Sequence, residues 1–546
     1  MLERDENRRL LALLPMARPP AVGADAVGTD APPRAAAPEP RMEGGRADQT
    51  AALGDRVRHS VASDDPRRSL RADSVRFLRT VALSVGIQGP TAGVIVGPAV
   101  LAGIVGGAGA LSYLLALVAM SFVAYAFILF TRSFNSSSSV YAFNGSTLGA
   151  RYGFVSVWML LLVYISFAAG VYASTANIAG ALLSSLGVEG WWVWLAVIGW
   201  ALTIVFAYLS FGLSSLLILA CEGIAVALIA VVGVAVLVKG GYHDRALSTA
   251  PFQTHGISFA VLGLGVVSAF GGFSGFEGAA TLGEESKRSQ RTIPAAVAGS
   301  LIASATVYIA FAWIVDNAYA TPRALAADPA PLVHLATGYV GPLMGKLVNL
   351  AGVISAFGAQ LACIAAANRL LFAIGRELGA GRRATNLLVA TSRRGSPIGA
   401  LVVAGSVSLG GLLAFSFEPT PIRALTLIIQ YGAYLVLAVY LLTVIAALVM
   451  VWRRGRRPIP LIVLSLGILV LGYVLRDTFS PLPAGPFRVV ALAALASLLA
   501  GILFALIPAV HRRLGSSALV HRRLGSSALL RATRVPGPIL DSPPPS

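Results

Sequence analysis

Between about Thr80 and Val510 the chain repeats one pattern, a run of roughly twenty apolar residues followed by a short polar connection. A hydrocarbon core about 30 Å thick is crossed by about 20 residues of helix, so each run has the length of a membrane span. The runs fall at about 80–104, 109–131, 153–186, 191–209, 213–238, 257–282, 293–315, 342–375, 397–416, 422–452, 459–476 and 487–509, which is twelve spans. Charged residues make up 12% of the chain, about half of what a soluble domain carries, and the mean hydropathy is +0.77. The fold class is therefore all-α, a polytopic membrane protein in contact with the lipid bilayer.

A formal charge of +18 would suit a nucleic-acid partner, but the placement of the basic residues points elsewhere. With twelve spans and a cytoplasmic N-terminus, most Lys and Arg fall on the cytoplasmic side, as the positive-inside rule requires. Arg67, Arg68, Arg71, Arg76 and Arg79 precede the first span, and Lys287, Arg288, Arg291, Arg382, Arg383, Arg393, Arg394, Arg453, Arg454, Arg456 and Arg457 lie in later loops. Both termini are expected to be cytoplasmic, with no nucleic-acid role. Residues 1–75 are polar and rich in Arg, Ala and Pro, show no secretory signal, and are expected to form a disordered cytoplasmic tail in which Met42 is an alternative start. Residues 76–510 form the membrane domain. The basic tail 511–546 contains a tandem duplication, HRRLGSSALVHRRLGSSALL from His511 to Leu530, which reads either as a surface for anionic lipid headgroups or as a tolerated duplication. Cys221 and Cys363 fall inside spans and are expected to be unpaired.

Most of the spans are uninterrupted runs of Leu, Val, Ile and Ala; two differ. The first, SVGIQGPTAGVIVGPAV from Ser84 to Val100, contains Gly86, Gly89, Pro90, Gly93, Gly97 and Pro98. Proline removes a backbone donor and clashes with the preceding turn, so Pro90 and Pro98 are expected to leave peptide groups unpaired, which membrane depth tolerates only beside protein or a water-filled cavity. The sixth, AFGGFSGFEGAATLGEE from Ala269 to Glu285, sets Gly271, Gly272, Gly275 and Gly278 around the acid Glu277. One small-xxx-small pair, such as Gly271 and Gly275, is ordinary helix packing. Two interrupted spans five apart instead suggest a 5+5 inverted repeat, in which the discontinuous helices 1 and 6 meet at the midplane and form a binding site, with two further helices at the C-terminal end. Exposed N–H groups at the first break favour a carboxylate and freed carbonyls at the second favour an ammonium. An amino acid has both.

Four motifs carry a family resemblance. TAGVIVGP from Thr91 to Pro98 looks like the Gly-Ser-Gly stretch of the first helix in the amino acid–polyamine–organocation permeases, with Gly93 in register and Thr91 and Ala92 in place of the first glycine and the serine. FNSSSSVYAF and LGARYGFVSVW resemble the segment after the second helix, where Tyr141, Gly149, Gly153, Phe154 and Trp158 match and Ser138 and Val157 replace glycines. FSGFEGAATLGEESKRSQRTIP is similar to the sixth-helix signature through Gly275, Phe276, Glu277, Glu284, Glu285, Ile293 and Pro294, with Ser289 in place of a proline. ANRLLFAIGRELG resembles the exit of the eighth helix through Arg369 and Arg376. The resemblance covers about residues 75–510. It implies a leucine-transporter-like fold and secondary active transport of an amino acid across the plasma (inner) membrane by alternating access, without a cofactor or metal. A polyamine or other organic cation, or a non-transporting sensor on the same fold, are the alternatives.

By that resemblance Thr91, Ala92, Gly93, Phe270, Gly271, Phe273 and Gly275 would face the substrate. Related permeases often carry a bulky aromatic at the Gly271 position, so a glycine there implies an enlarged pocket and a sizeable apolar or aromatic substrate side chain. Glu222 and Glu277 are ionisable groups at membrane depth and hence functional candidates. Glu277 is open to three roles: accepting the ammonium, carrying a proton, or stabilising the broken helix. Glu222 stands near where several branches of the family place a lysine; it is read either as a proton shuttle or as a structural hydrogen-bond partner of the first helix. Ser355 is the one hydroxyl in LVNLAGVISAFGAQLACIAAAN, which favours proton coupling or exchange over sodium. Glu284 and Glu285 could pair with Arg369 or Arg132 as a cytoplasmic gate, or form a solvated cluster. An enzyme is disfavoured, since the spans hold no His cluster, paired catalytic motif or cofactor fingerprint, and His334 falls in an outer loop.

Overall fold

The computed structural model describes residues 77–507 apart from 134–138, 185–186, 189, 210, 255, 283–285, 287–288, 378–387, 392–396, 456–457 and 481. Both tails, Glu284, Glu285, Ser138 and the basic loop residues Arg382, Arg383, Arg393 and Arg394 lie outside the described residues.

The described chain is all-helical. Eleven helices are long and apolar enough to cross a membrane, and a twelfth apolar helix, Ile398–Leu413, is shorter; its 16 residues rise about 24 Å at 1.5 Å each. The first span is in two pieces, α1 (Phe77–Gln88) and α2 (Pro90–Val105). Next come α3 (Gly109–Thr131), a short α4 (Val140–Leu148) leading into α5 (Ala150–Ser184), α6 (Trp192–Leu209) and α7 (Phe211–Lys239). The sixth span is α8 (Phe259–Phe273) followed by a 3-10 segment (Phe276–Leu282). Then follow α9 (Ser289–Ala318), two short helices α10 (Pro322–Ala327) and α11 (Pro331–Tyr339), and α12 (Pro342–Glu377). Last are α13 (Ile398–Leu413), α14 (Pro421–Arg453), α15 (Pro458–Phe479) and α16 (Pro486–Leu506).

Burial sorts these helices into an inner and an outer set. The apolar windows of α5, α12 and the first span are 83%, 78% and 72% buried, against 28%, 22% and 28% for α6, α15 and α16. Leu, Val and Ala cover both sets, so composition does not separate them; position does. The outer helices present Trp194, Ile462 and Leu469 outward, where lipid is the matching solvent. The inner helices α12 and α14 pack along α5 and enclose the two interrupted spans.

The prolines of the first span act differently from one another. Gly89 adopts φ 50°, ψ 57°, a left-handed turn that glycine makes at little cost, and Pro90 then opens α2 at a position whose N–H has no helical partner anyway. Pro98, expected to break the span, lies inside a continuous α2. The break thus falls ahead of the Thr91–Pro98 motif. In LGARYG, Gly149 turns the chain between α4 and α5 at φ 112°. Gly153 lets the two helices close, since a Cβ there would meet the Tyr141 carbonyl at 2.7 Å.

Candidate substrate site

At the first break the amide ends of α2 point at protein groups. Thr91 N donates to Glu222 Oε1 at 2.8 Å and Ala92 N to Ser355 Oγ at 3.1 Å, while Gly93 N closes the first turn on Gly89 O at 2.9 Å. Glu222 comes from α7 and Ser355 from α12, and both are buried. A helix N-terminus leaves its first N–H groups without partners and carries a partial positive charge, so a carboxylate and a hydroxyl are its natural caps. The amides that sequence reasoning offered to a substrate carboxylate are held here by Glu222 and Ser355.

The second break is closed from the first. Gly275 adopts φ 117°, and α8 stops at Ser274, whose N and Oγ both donate to Phe270 O. Gln88 Nε2 donates to Phe273 O at 3.0 Å, and Ser84 Oγ bridges Phe276 O and Ala279 N, each at 2.9 Å. Ile87 lies where a Cβ on Gly275 or Gly278 would be, so these glycines serve the approach of α1 as well as the turn. Gln88 is further fixed by Ser304 Oγ on its Oε1 and by Tyr308 Oη on its carbonyl, both at 2.7 Å.

Glu277 is fully buried beside this junction. Its Oε1 accepts from Tyr164 Oη at 2.9 Å; its Oε2 accepts from Tyr440 Oη at 2.6 Å and from Gly275 N at 2.9 Å. One carboxylate therefore joins α5, α14 and the turn of the broken helix.

A cavity of about 130 Å³ lies between the two breaks. It is close in size to the 150 Å³ apolar cavity that takes a benzene. Gln88, Gly89, Ala92 and Gly93 line it from the first break, Gly271 and Gly272 from α8, and Tyr113, Phe167, Tyr308 and Ile429 close it. No Asp, Glu, Lys or Arg is among the described residues that line it. Of the residues expected at the substrate, Ala92, Gly93 and Gly271 reach the cavity. Thr91, Phe270, Phe273 and Gly275 are buried and lie outside its lining, as do Glu222 and Glu277.

The glycines of α2 admit a pair of tyrosines. Tyr113 and Tyr308 stack with ring centroids 5.2 Å apart and planes 7° from parallel. A Cβ at Gly93 would lie 2.5 Å from Tyr308, and one at Gly97 would lie 2.7 Å from Tyr113 Oη. Gly271 corrects an expectation. A Cβ there would sit 2.9 Å from Ile429 Cγ2, so the room left by this glycine admits a side chain from α14 rather than enlarging the pocket.

Arg369, expected at a gate, is buried on α12, where its Nη1 donates to Ala365 O at 3.2 Å; Arg132 is exposed at the end of α3. Sequence reasoning missed Ser84, Gln88, Tyr308 and the tyrosines that hold Glu277. For Ser84 and Gln88 a signal was present, polar side chains in an apolar span just ahead of Gly89-Pro90. For the tyrosines there was none, because their contacts reach across more than a hundred residues.

The "Amino acid permease" family model matches residues 75–518. The chain belongs to the amino acid permease family. Among similar proteins, the branched-chain amino acid permease BcaP of Lactococcus lactis subsp. cremoris is 26% identical over 345 residues, 58% of this chain and 73% of that protein. The methylthioribose transporter of Bacillus subtilis is 23% identical over 49% of this chain and 59% of its own length. The low-affinity putrescine importer PlaP of Escherichia coli K12 is 25% identical over 63% of this chain and 74% of its own. Family and relatives alike are transporters, so this permease is a multi-pass membrane protein that moves amino acids or related organic cations, not an enzyme.

Proposed function

We propose that this permease carries an amino acid with an apolar side chain of small to medium size across the plasma membrane, by alternating access and with proton coupling or exchange. The observation that carries the reading is the cavity between the two breaks, about 130 Å³ and bounded by no charged side chain among the described residues. A dication such as a polyamine, stripped of water there, would find no counter-charge, and an unpaired charge in an apolar site is strongly disfavoured. A zwitterion is neutral overall and can place its two ends on main-chain dipoles. The likeness to a branched-chain amino acid permease fits the same volume. The topology proposed with it is twelve spans, α13 included, in a 5+5 inverted repeat with both termini cytoplasmic.

Glu222 is the proposed proton site. While ionised it caps Thr91 N; once protonated it is a weaker acceptor, and the α2 amides become available to a substrate carboxylate. Binding of proton and substrate would then favour each other.

A second reading has its own support. Because Glu222 and Ser355 already satisfy the α2 amides, a substrate need not bring a carboxylate, and one relative imports putrescine. Purified permease in liposomes, offered a radiolabelled amino acid panel and putrescine with and without an inward proton gradient, separates the two. Uptake of aliphatic amino acids raised by the gradient supports the first reading. Putrescine uptake alone replaces it, and binding without flux would make the protein a sensor.

A further inference from the structure

The cavity has one wall that is narrow for a structural reason. Ile429 of α14 is wedged between two glycines of two other helices: a Cβ on Gly170 of α5 would lie 2.9 Å from its Cγ1 and Cδ1, and a Cβ on Gly271 of α8 would lie 2.9 Å from its Cγ2. Any other residue at either glycine would push Ile429 aside. Both branches of the side chain are therefore braced from behind, and its remaining face is part of the cavity lining. Ile429 is half-buried, whereas the preceding Ile428 is buried and turned away from this cavity. Two positions without side chains are thus spent on seating one β-branched residue, which has little rotameric freedom, against the space where a substrate side chain would lie.

We propose that Ile429 is the residue that sets the upper size limit of the substrate side chain. The proposal rests on this cavity being the substrate site, but not on which class of substrate uses it. In a rigid apolar pocket one methylene changes selectivity by about 10–200-fold. Removing the three outer carbons of Ile429 opens the cavity toward Gly170 and Gly271, into the space that these glycines leave.

The test is competition for transport by purified permease in liposomes. Two size series are used: alanine, valine, leucine, phenylalanine and tryptophan, and the amines with the same side chains but no carboxylate. Wild type is expected to accept members up to about leucine and to discriminate against the aromatic ones. Ile429→Ala is expected to move the leucine-to-phenylalanine preference about 10-fold or more toward phenylalanine, with Ile429→Val between. Ile428→Ala, on the same helix, is expected to leave the ratio within about twofold. Gly271→Ala alone is expected to impair uptake, and Ile429→Ala in the same chain, which removes the Cγ2 that the new methyl would meet, to restore part of it. A shift seen in the amine series would uphold the size limit and overturn the amino acid reading. An unchanged ratio in an active Ile429→Ala permease would overturn the size limit and leave the amino acid reading in place. Wild type that takes neither series would overturn both.

Discussion

The substitutions Glu277→Gln and Glu277→Ala separate a structural acid from a proton carrier. The carboxylate receives two hydroxyls and one backbone N–H, all buried. Alanine takes the carboxylate acceptor from Tyr164 Oη, Tyr440 Oη and Gly275 N in a site closed to water. A fully stranded buried group costs about 1–3 kcal/mol; because Tyr440 keeps Ser274 and the Gly275 N–H beside it, roughly 9 kcal/mol is the upper bound for the three together, on the scale of the whole stability of a typical fold. Glutamine has the same shape. Its amide oxygen takes the place of Oε2, which holds two donors, and its NH₂ faces Tyr164, whose hydroxyl rotates to accept. At most one bond weakens, about 0.5–1.5 kcal/mol. The assay is thermal unfolding of the detergent-solubilised permease together with uptake at two external pH values. Glu277→Ala is expected to be poorly folded. Glu277→Gln is expected to melt within a few degrees of wild type and to keep both uptake and its response to pH. A well-folded Glu277→Gln that loses proton-driven uptake would refute the structural assignment, and a well-folded Glu277→Ala would refute the energetic reasoning.

Three other outcomes follow from the same geometry. Glu222→Gln keeps an acceptor for Thr91 N but cannot titrate, so uptake is expected to persist with its pH dependence flattened; an unaltered pH profile from external pH titration would remove Glu222 from the coupling. Gly97→Ala sets a methyl 2.7 Å from Tyr113 Oη and is expected to destabilise by about 1–3 kcal/mol through overpacking. Tyr113→Phe in the same chain should recover most of that loss in melting temperature, because the next nearest atom of Tyr113 is 4.0 Å away. Ser84→Ala removes the hydroxyl that bridges Phe276 O and Ala279 N but leaves those two groups facing each other across one 3-10 turn, so it is expected to lower the melting temperature by an amount matching only the net worth of the two lost bonds, about 0.5–1.5 kcal/mol each; an unchanged melting temperature would show that the bridge contributes nothing.

How much of this was legible in the sequence depends on the range of the interaction. Apolar run length is local, and it placed the helices to within a few residues, with α13 the one that falls short of a full span. The two breaks were also legible, because Gly and Pro act on their own backbone. Their fine position was not. Pro98 stays helical while Pro90 follows the break, and the difference comes from the left-handed turn at Gly89, which no residue count distinguishes from the turns available at Gly86 or Gly93. The wall of the cavity was least legible. Gly271 suggested open space by itself, and only the fold brings Ile429 into that space from 158 positions along the chain. The same holds for Glu222, whose partners on α2 and α12 lie more than a hundred residues away on both sides.

The hydrogen bonds that close the two breaks fall into two sets that do not overlap. Ahead of Gly89, the end of α1 is tied to the sixth span and α9 through Ser84, Gln88, Ser304 and Tyr308. After Gly89, the start of α2 is tied to α7 and α12 through Glu222 and Ser355. One glycine in a left-handed turn therefore joins two bonded assemblies, and rotation about it need break neither set. Packing also crosses between the sets, since α1 contacts α7 and α12 and α2 contacts α8 and α9. Tyr308 is the clearest such bridge, since its hydroxyl holds Gln88 O while its ring lies on Gly93. Because Tyr308 also lines the cavity, a molecule bound there would touch the very contact that bridges the two sets, which is the coupling between occupancy and motion that the proposed alternating access needs.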